Sequence, residues 1–231
     1  IETVCRQKLS NLLYANMPVD DHNRPLEFPR VIREEEIDGL LIVGMELQDE
    51  FLKHLIQKET PIVLVDGYAE NDPYDSVTTD NVRGGYEATR HLIAQGHQQI
   101  AIIGSNEQAY PSIRERREGY LQAMSEAGLA PLLADCELLP LVVAETAADF
   151  LKNNPQTTAF FACNDDCAIA VMRAAREMGL RVPADLSIIG FDNVVLAQHV
   201  TPTLTTMRVD KMGMGRLAAQ LLFNRLEHPK A

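Results

Sequence analysis

The chain has 231 residues, 46% hydrophobic and 23% charged, a balance that supports a packed core and excludes a largely disordered chain. Its 33 acidic residues against 21 basic ones give a net charge of -12, a field that repels a phosphate backbone and makes this stretch a poor grip for nucleic acid. No apolar run approaches the roughly 18 residues of a membrane span, and the N-terminal residues lack the basic, apolar and small-residue order of a secretory signal.

The chain opens at helical spacing, with Val4, Leu9, Leu12 and Leu13 among polar residues. Residues 39–43 (GLLIV) and 61–66 (PIVLVD) read as strands, and Leu52, Leu55 and Ile56 between them repeat as in a helix. The stretch 66–81, rich in Asp, Asn, Tyr and Pro, is either a solvent loop or the lip of a ligand crevice. Asp80 and Asn81 are placed to cap a helix whose Tyr86, Thr89, Leu92 and Ile93 share one side, and Gly96 ends it before a strand at 100–103 (IAII). Ser112 and Glu115 stand at capping-box spacing ahead of a helix with Tyr120, Ala123, Met124 and Ala127 on its apolar face and Gly128 at its end. Residues 158–162 (TAFFA) predict a strand feeding a helix from Asp165 to Met178, and 186–191 (LSIIGF) predict another strand beyond Pro183. A last helix runs from Asp210 to about Leu226, with Leu217, Leu221 and Leu222 as its buried stripe.

Strands alternating with amphipathic helices imply an α/β fold with largely parallel sheets flanked by helices, because parallel strands need crossovers and each helix must bury an apolar face. Cys5, Cys136, Cys163 and Cys167 show neither metal-ligand grouping nor a disulfide framework and read as buried thiols of a reducing cytosol. Gly84 and Gly85 do not form a dinucleotide fingerprint and more simply permit close packing. His91, His97 and His199 are too scattered for a metal site, and no cofactor is implied. Met212 and Met214 suit either a subunit interface or core packing.

Several segments occur in one order: 80–103 (DNVRGGYEATRHLIAQGHQQIAII), 114–120 (RERREGY), 160–166 (FFACNDD), 178–193 (MGLRVPADLSIIGFDN) and 201–207 (TPTLTTM). Together they resemble the effector-binding region of the lactose and galactose repressor family, whose architecture is shared with periplasmic sugar-binding proteins. The resemblance covers about Gly39 to Leu226. It implies two Rossmann-like lobes of the periplasmic-binding-protein type I, with lobe one at 1–80, lobe two at 81–208 and a return helix to lobe one at 209–231. It also implies that the helix-turn-helix headpiece, the first strand with its ligand loop and the closing C-terminal strand lie outside this chain. A small-molecule effector, with a sugar or sugar derivative as the expected class, would bind between the lobes and shift their angle. Homodimerisation, a cytoplasmic location and operator DNA contacted only through the missing headpiece follow from the same likeness.

Site residues follow partly from chemistry and partly from that likeness. Arg116 offers a rigid fork of donors suited to paired hydroxyls or an anion, and it matches the family's effector-touching arginine; by itself it also reads as one member of an exposed charged run. Asp192 follows an apolar strand and is placed to accept sugar hydroxyls, with a simple turn cap as the alternative. Asn164 offers a donor and an acceptor after a strand, while Asp165 reads as the cap of the next helix. Phe161 matches a ring-stacking position, although alternation along its strand could bury it and turn Phe160 outward. Tyr110 and Ser112 are candidates for the specificity rim, and Asp66 and Tyr68 are lobe-one candidates. A transport-associated solute-binding protein would use the same cleft. An enzyme is disfavoured by the lack of a nucleophile elbow, P-loop or zinc-protease motif.

Overall fold

The computed structural model describes residues 1–20, 24–27, 29–33, 37–47, 60–69 and 74–228. The chain divides into two compact units, Ile1–Thr79 with Asp210–Ala231, and Asp80–Val209.

Unit 1 contains α1 (Glu2–Gln7), α2 (Arg30–Arg33), β1 (Leu40–Val43), β2 (Glu46–Leu47), β3 (Ile62–Val65), β4 (Tyr68–Ala69) and β5 (Asp75–Val77). Its main sheet has the order β1-β3-β5, all parallel, and β2 pairs with β4 beside it. β3 is buried at all four positions. Ile62 and Leu64 pack with Ile32, Ile42 and Leu47 on one face, while Val63 and Val65 meet the final helix on the other. The stretch read from sequence as loop or crevice lip thus contains two short strands, one of which extends the main sheet. The helical spacing of Leu52, Leu55 and Ile56 lies outside the described residues.

The N-terminal helix is shorter than its apolar spacing predicts. It ends at Gln7, Leu9 stands at φ 55°, and Leu9 and Leu13 are 96% and 65% exposed. The final helix, residues Lys211–Glu227 and named α7 below, also departs from expectation. Leu217 is exposed, and the buried stripe is Gly215, Ala218, Ala219 and Leu222. Ala218 and Leu222 pack on Val63, Val65 and Val77, Gly215 faces Ile1, and a side chain at Gly39 would press into Leu222. Arg225 ties the helix to β5 through Asp75 at 2.8 Å, and that hydrogen bond holds the Asp75 carboxyl below its ordinary range.

Unit 2 is a five-stranded parallel sheet of order β10-β9-β8-β6-β7, with β6 (Ile100–Ile103), β7 (Leu132–Ala134), β8 (Ala159–Ala162), β9 (Ser187–Asp192) and β10 (Thr205–Arg208). α3 (Asn81–Ala94) and α4 (Pro111–Glu126) pack with Ile100, Ile102, Phe161 and Ile189 on one face. α5 (Pro140–Asn153) and α6 (Asp165–Glu177) pack with Ala101, Ile103, Phe160 and Ile188 on the other. β6 and β8 are buried at every position, which is why they read as apolar runs without alternation.

Helix starts show where local chemistry decided. Asp80 caps α3, accepting the Arg83 amide at 3.0 Å. The capping box expected from Ser112 and Glu115 does not form, because Pro111 already opens α4, so Ser112 is buried in the first turn and Glu115 accepts the Asn81 side-chain amide instead. α6 is capped by Asn164, whose Oδ1 accepts the Cys167 amide at 2.8 Å; Asp165, read as the cap, is the first residue inside the helix. α3 and α4 cross with no room to spare. A Cβ on Gly85 would overlap the Arg116 backbone carbonyl, and one on Gly119 would overlap the Val82 carbonyl and Tyr86 amide of α3. The Gly84–Gly85 pair therefore serves packing, as the sequence suggested.

Candidate functional site

In unit 2 the chain leaves β6 for β7 on one side and returns to β8 on the other, so the strand order reverses between β6 and β8. Such a reversal separates the loops at the strands' carboxyl ends and opens a place for a ligand. Arg116 lies on α4, which follows β6, Asn164 lies just after β8, and Asp192 is the last residue of β9.

Arg116 is 4% exposed and fully organised by its neighbours. Its Nε donates to Asn81 Oδ1 at 2.9 Å, Nη1 to the Cys163 carbonyl at 2.6 Å and Nη2 to Asp192 Oδ1 at 3.3 Å. The guanidinium carbon stands 3.9 Å from the centre of the Phe191 ring, a stacking that further favours a cation here. Asn81 in turn donates to Glu115 at 3.0 Å, so a single hydrogen-bonded line runs Glu115, Asn81, Arg116, Asp192. A buried cation is tolerable only with such partners. The pair is asymmetric: the Arg116 side chain is 5% exposed and that of Asp192 25%, so the carboxylate is its open end.

The charged run 114–118 is therefore not a solvated face. Arg114 is exposed, but Arg117 is buried beside Arg116. Arg117 pairs with Asp135 and reaches Ser105 Oγ at 3.2 Å, tying together the segments after β6 and β7. Sequence reasoning did not single out Arg117, and it read Asn81 and Asp165 as helix caps, whereas each is the first residue inside its helix and reaches other partners. For Asn81 and Asp165 the signal was present as polar pairs at helix starts, where capping offers an equally good account.

The remaining candidates fall in different settings. Tyr110 is half-buried as the residue before α4, and Ser112 is 4% exposed. Phe161 has no accessible surface, and neither has Phe160, so β8 buries both rings, one on each face. Asn164 is half-buried, with its oxygen used by the helix cap. In unit 1, Asp66 follows β3 at φ 48° with its amide on the Val77 carbonyl, and Tyr68 lies in β4 with its amide on the Met45 carbonyl, each at 2.9 Å.

Among the described residues no group of three His, Cys, Asp or Glu side chains is placed to hold a metal. Burial pushes the Cys163 thiol up to about 12 and raises Cys167 and Cys136 as well. A cavity of about 180 Å³ lies at the opposite end of the unit 2 sheet, by the starts of β9 and β10, where His91 and His97 line it. Burial lowers the pKa of His97, and its Nδ1 lies 2.9 Å from Thr158 Oγ1. No helix among the described residues is long and apolar enough to cross a membrane.

Parallel sheets flanked by helices, with a polar cluster at the strand-order reversal, define a periplasmic-binding-protein-like ligand-binding fold, and residues 89–231 match the model of the periplasmic binding protein-like domain. The HTH-type transcriptional repressor PurR of Vibrio campbellii is 32% identical over 241 aligned residues, covering 100% of this chain and 70% of the repressor. The HTH-type transcriptional regulator DegA of Bacillus subtilis is 37% identical over 205 residues, 85% of this chain and 60% of its own length. A LacI family transcriptional regulator from Enterococcus faecium, solved with bound ribose, superposes with a TM-score of 0.85 at 26% identity, over 100% of this chain and 84% of that one. The chain belongs to the LacI family of transcriptional regulators and corresponds to its effector-binding region. It spans 60 to 70% of the length of the two named regulators compared by sequence.

Proposed function

We propose that this chain is the effector-binding part of a DNA-binding transcriptional regulator and that its effector is a sugar or sugar derivative. The observation that carries this reading is the Arg116–Asp192 pair at the strand-order reversal. Three of the five Arg116 N–H donors are engaged by Asn81, Cys163 and Asp192, so the guanidinium is held still with one donor left on each terminal nitrogen. Beside it the half-open Asp192 carboxylate supplies acceptors. A fixed donor pair next to an acceptor pair suits vicinal hydroxyls, each of which gives one hydrogen bond and receives another. Asn164 adds its amide donors, and Tyr110 flanks the start of α4.

Bound ribose in the Enterococcus faecium relative supports the sugar class, and the names of the curated relatives support a regulator over a transport protein. In this reading the protein binds without turnover, acts in the cytoplasm as a homodimer, and contacts operator DNA through a helix-turn-helix segment outside this chain. The net charge of -12 agrees with DNA contact being made elsewhere. Calorimetry with D-ribose, other sugars, sugar phosphates and purines tests the proposal. Saturable binding that Arg116→Ala and Asp192→Ala both weaken, without abolishing it, is expected. Unchanged affinity in both variants overturns the site, and binding of purines alone overturns the sugar class.

A further inference from the structure

Asp192 and Asn193 both stand at positive φ, 107° and 51°. Side chains rarely adopt this half of conformational space, and two successive residues persist there only when their surroundings hold them. Asp and Asn tolerate it better than most residues, but tolerance does not select it. The selection comes from α6 and β10. The Val194 amide donates to Asp165 Oδ2 at 2.7 Å, and the Thr206 hydroxyl donates to Asp165 Oδ1 at 2.5 Å. The same hydroxyl oxygen accepts the Asn193 amide at 3.2 Å.

Asp165 has no accessible surface, so it offers nothing to a ligand. Its carboxylate occupies the space that a side chain on Gly190 would fill, which explains a glycine in the middle of a buried strand. Removing a carboxylate from water is costly unless its oxygens accept good hydrogen bonds. Here those bonds come from Val194 directly and from Asn193 through Thr206. The turn that ends β9, and with it the direction of the Asp192 side chain, is thereby referred to a fixed point inside the unit.

We propose that Asp165 and Thr206 form a positioning pair that sets Asp192 against Arg116, so that affinity at this site depends on a buried carboxylate that does not itself touch the effector. The consequence for affinity rests on the reading of Arg116 and Asp192 as effector contacts; the positioning itself does not. Asp165→Asn keeps the volume but removes the charge and replaces one acceptor with a donor, so the Thr206 hydroxyl can no longer donate to this side chain while its remaining oxygen accepts the Val194 amide. Thr206→Val removes the relay, and Thr206→Ser retains the hydroxyl.

Two measurements on the full chain decide the matter. NMR of the Arg116 side-chain N–H signals needs no ligand: in Thr206→Val and Asp165→Asn they are expected to move toward their positions in Asp192→Ala, and in Thr206→Ser to return to the parent positions. Calorimetry with D-ribose is expected to show about a tenfold loss of affinity in Thr206→Val, the size of one charge-assisted hydrogen bond, restored in Thr206→Ser and absent when Asp192 is already alanine. Arg116 signals unchanged in a folded Thr206→Val variant, or an equal ribose loss with and without Asp192, overturns the proposal. If the parent chain does not bind D-ribose, the ribose reading fails while the NMR comparison still decides the positioning.

Discussion

Replacing Gly119 with alanine puts the α3–α4 crossing to a quantitative test. In an ordinary helix interior this change stabilises by about 1 kcal/mol, since alanine is the better helix former. Here the new Cβ would overlap the Val82 carbonyl and the Tyr86 amide, both backbone atoms of a hydrogen-bonded helix that no rotamer change can move aside. Overpacking of this kind costs about 1–3 kcal/mol, and the absence of flexible neighbours puts Gly119 at the upper end. The helices must part, and parting strains the 2.9 Å bond between Arg116 on α4 and Asn81 on α3. Loss of that bond to a charged group adds about 1.5–3 kcal/mol. The sum is a net destabilisation of about 3 kcal/mol or more, which at about 2–4 °C per kcal/mol lowers Tm by at least 6 °C or so. Thermal unfolding followed by circular dichroism measures this directly, and calorimetry with D-ribose reports whether Arg116 has moved. A Gly119→Ala variant as stable as the parent, or more stable by the helix-propensity increment, would refute the close crossing.

Two further outcomes follow from burial. In the native protein at pH 8, Cys163 and Cys167 should react with a thiol reagent no faster than the chain unfolds, because both are buried and burial raises their thiols; rapid native-state labelling of Cys163 would contradict its place in the core. His97 has a folded pKa below its ordinary 6.5 because it is partly buried, so the unfolded chain takes up its proton first. Stability from this group is complete above about pH 6.5, falls as pH drops below that value and levels off beneath the folded pKa. His97→Asn should flatten that limb of a pH series of urea unfolding curves, and an unaltered limb would assign it to other groups.

Much of this architecture is legible in the sequence where burial dictates residue type. The runs at 61–66, 100–103 and 158–162 announce strands covered on both faces, and the polar residues just beyond β8 and β9 mark the carboxyl edge of a parallel sheet. The short strands β5, β7 and β10 escape notice because strands of three or four residues, partly exposed, carry little pattern. α5 escapes because Leu139 precedes it without a side-chain cap. The run 114–118 shows a different difficulty. Adjacent arginines cannot share one face of a helix, and both Arg116 and Arg117 are buried because α4 is enclosed by α3 on one side and by the sheet on another. Their partners, the Cys163 carbonyl and Asp135, come from distant parts of the chain. Asn164 takes the capping role expected of Asp165 by a shift of a single position, and Asp165 instead turns inward to Thr206 and Val194 beyond the next strand.

The separation of unit 1 into two stretches of chain gives synthesis an order. Everything that unit 2 needs, from Asp80 to Val209, is made before α7. Until then Val63, Val65 and Val77 lack the Ala218 and Leu222 surface that covers them. The later unit can thus fold first, and the earlier one waits with an oily face uncovered until α7 is made.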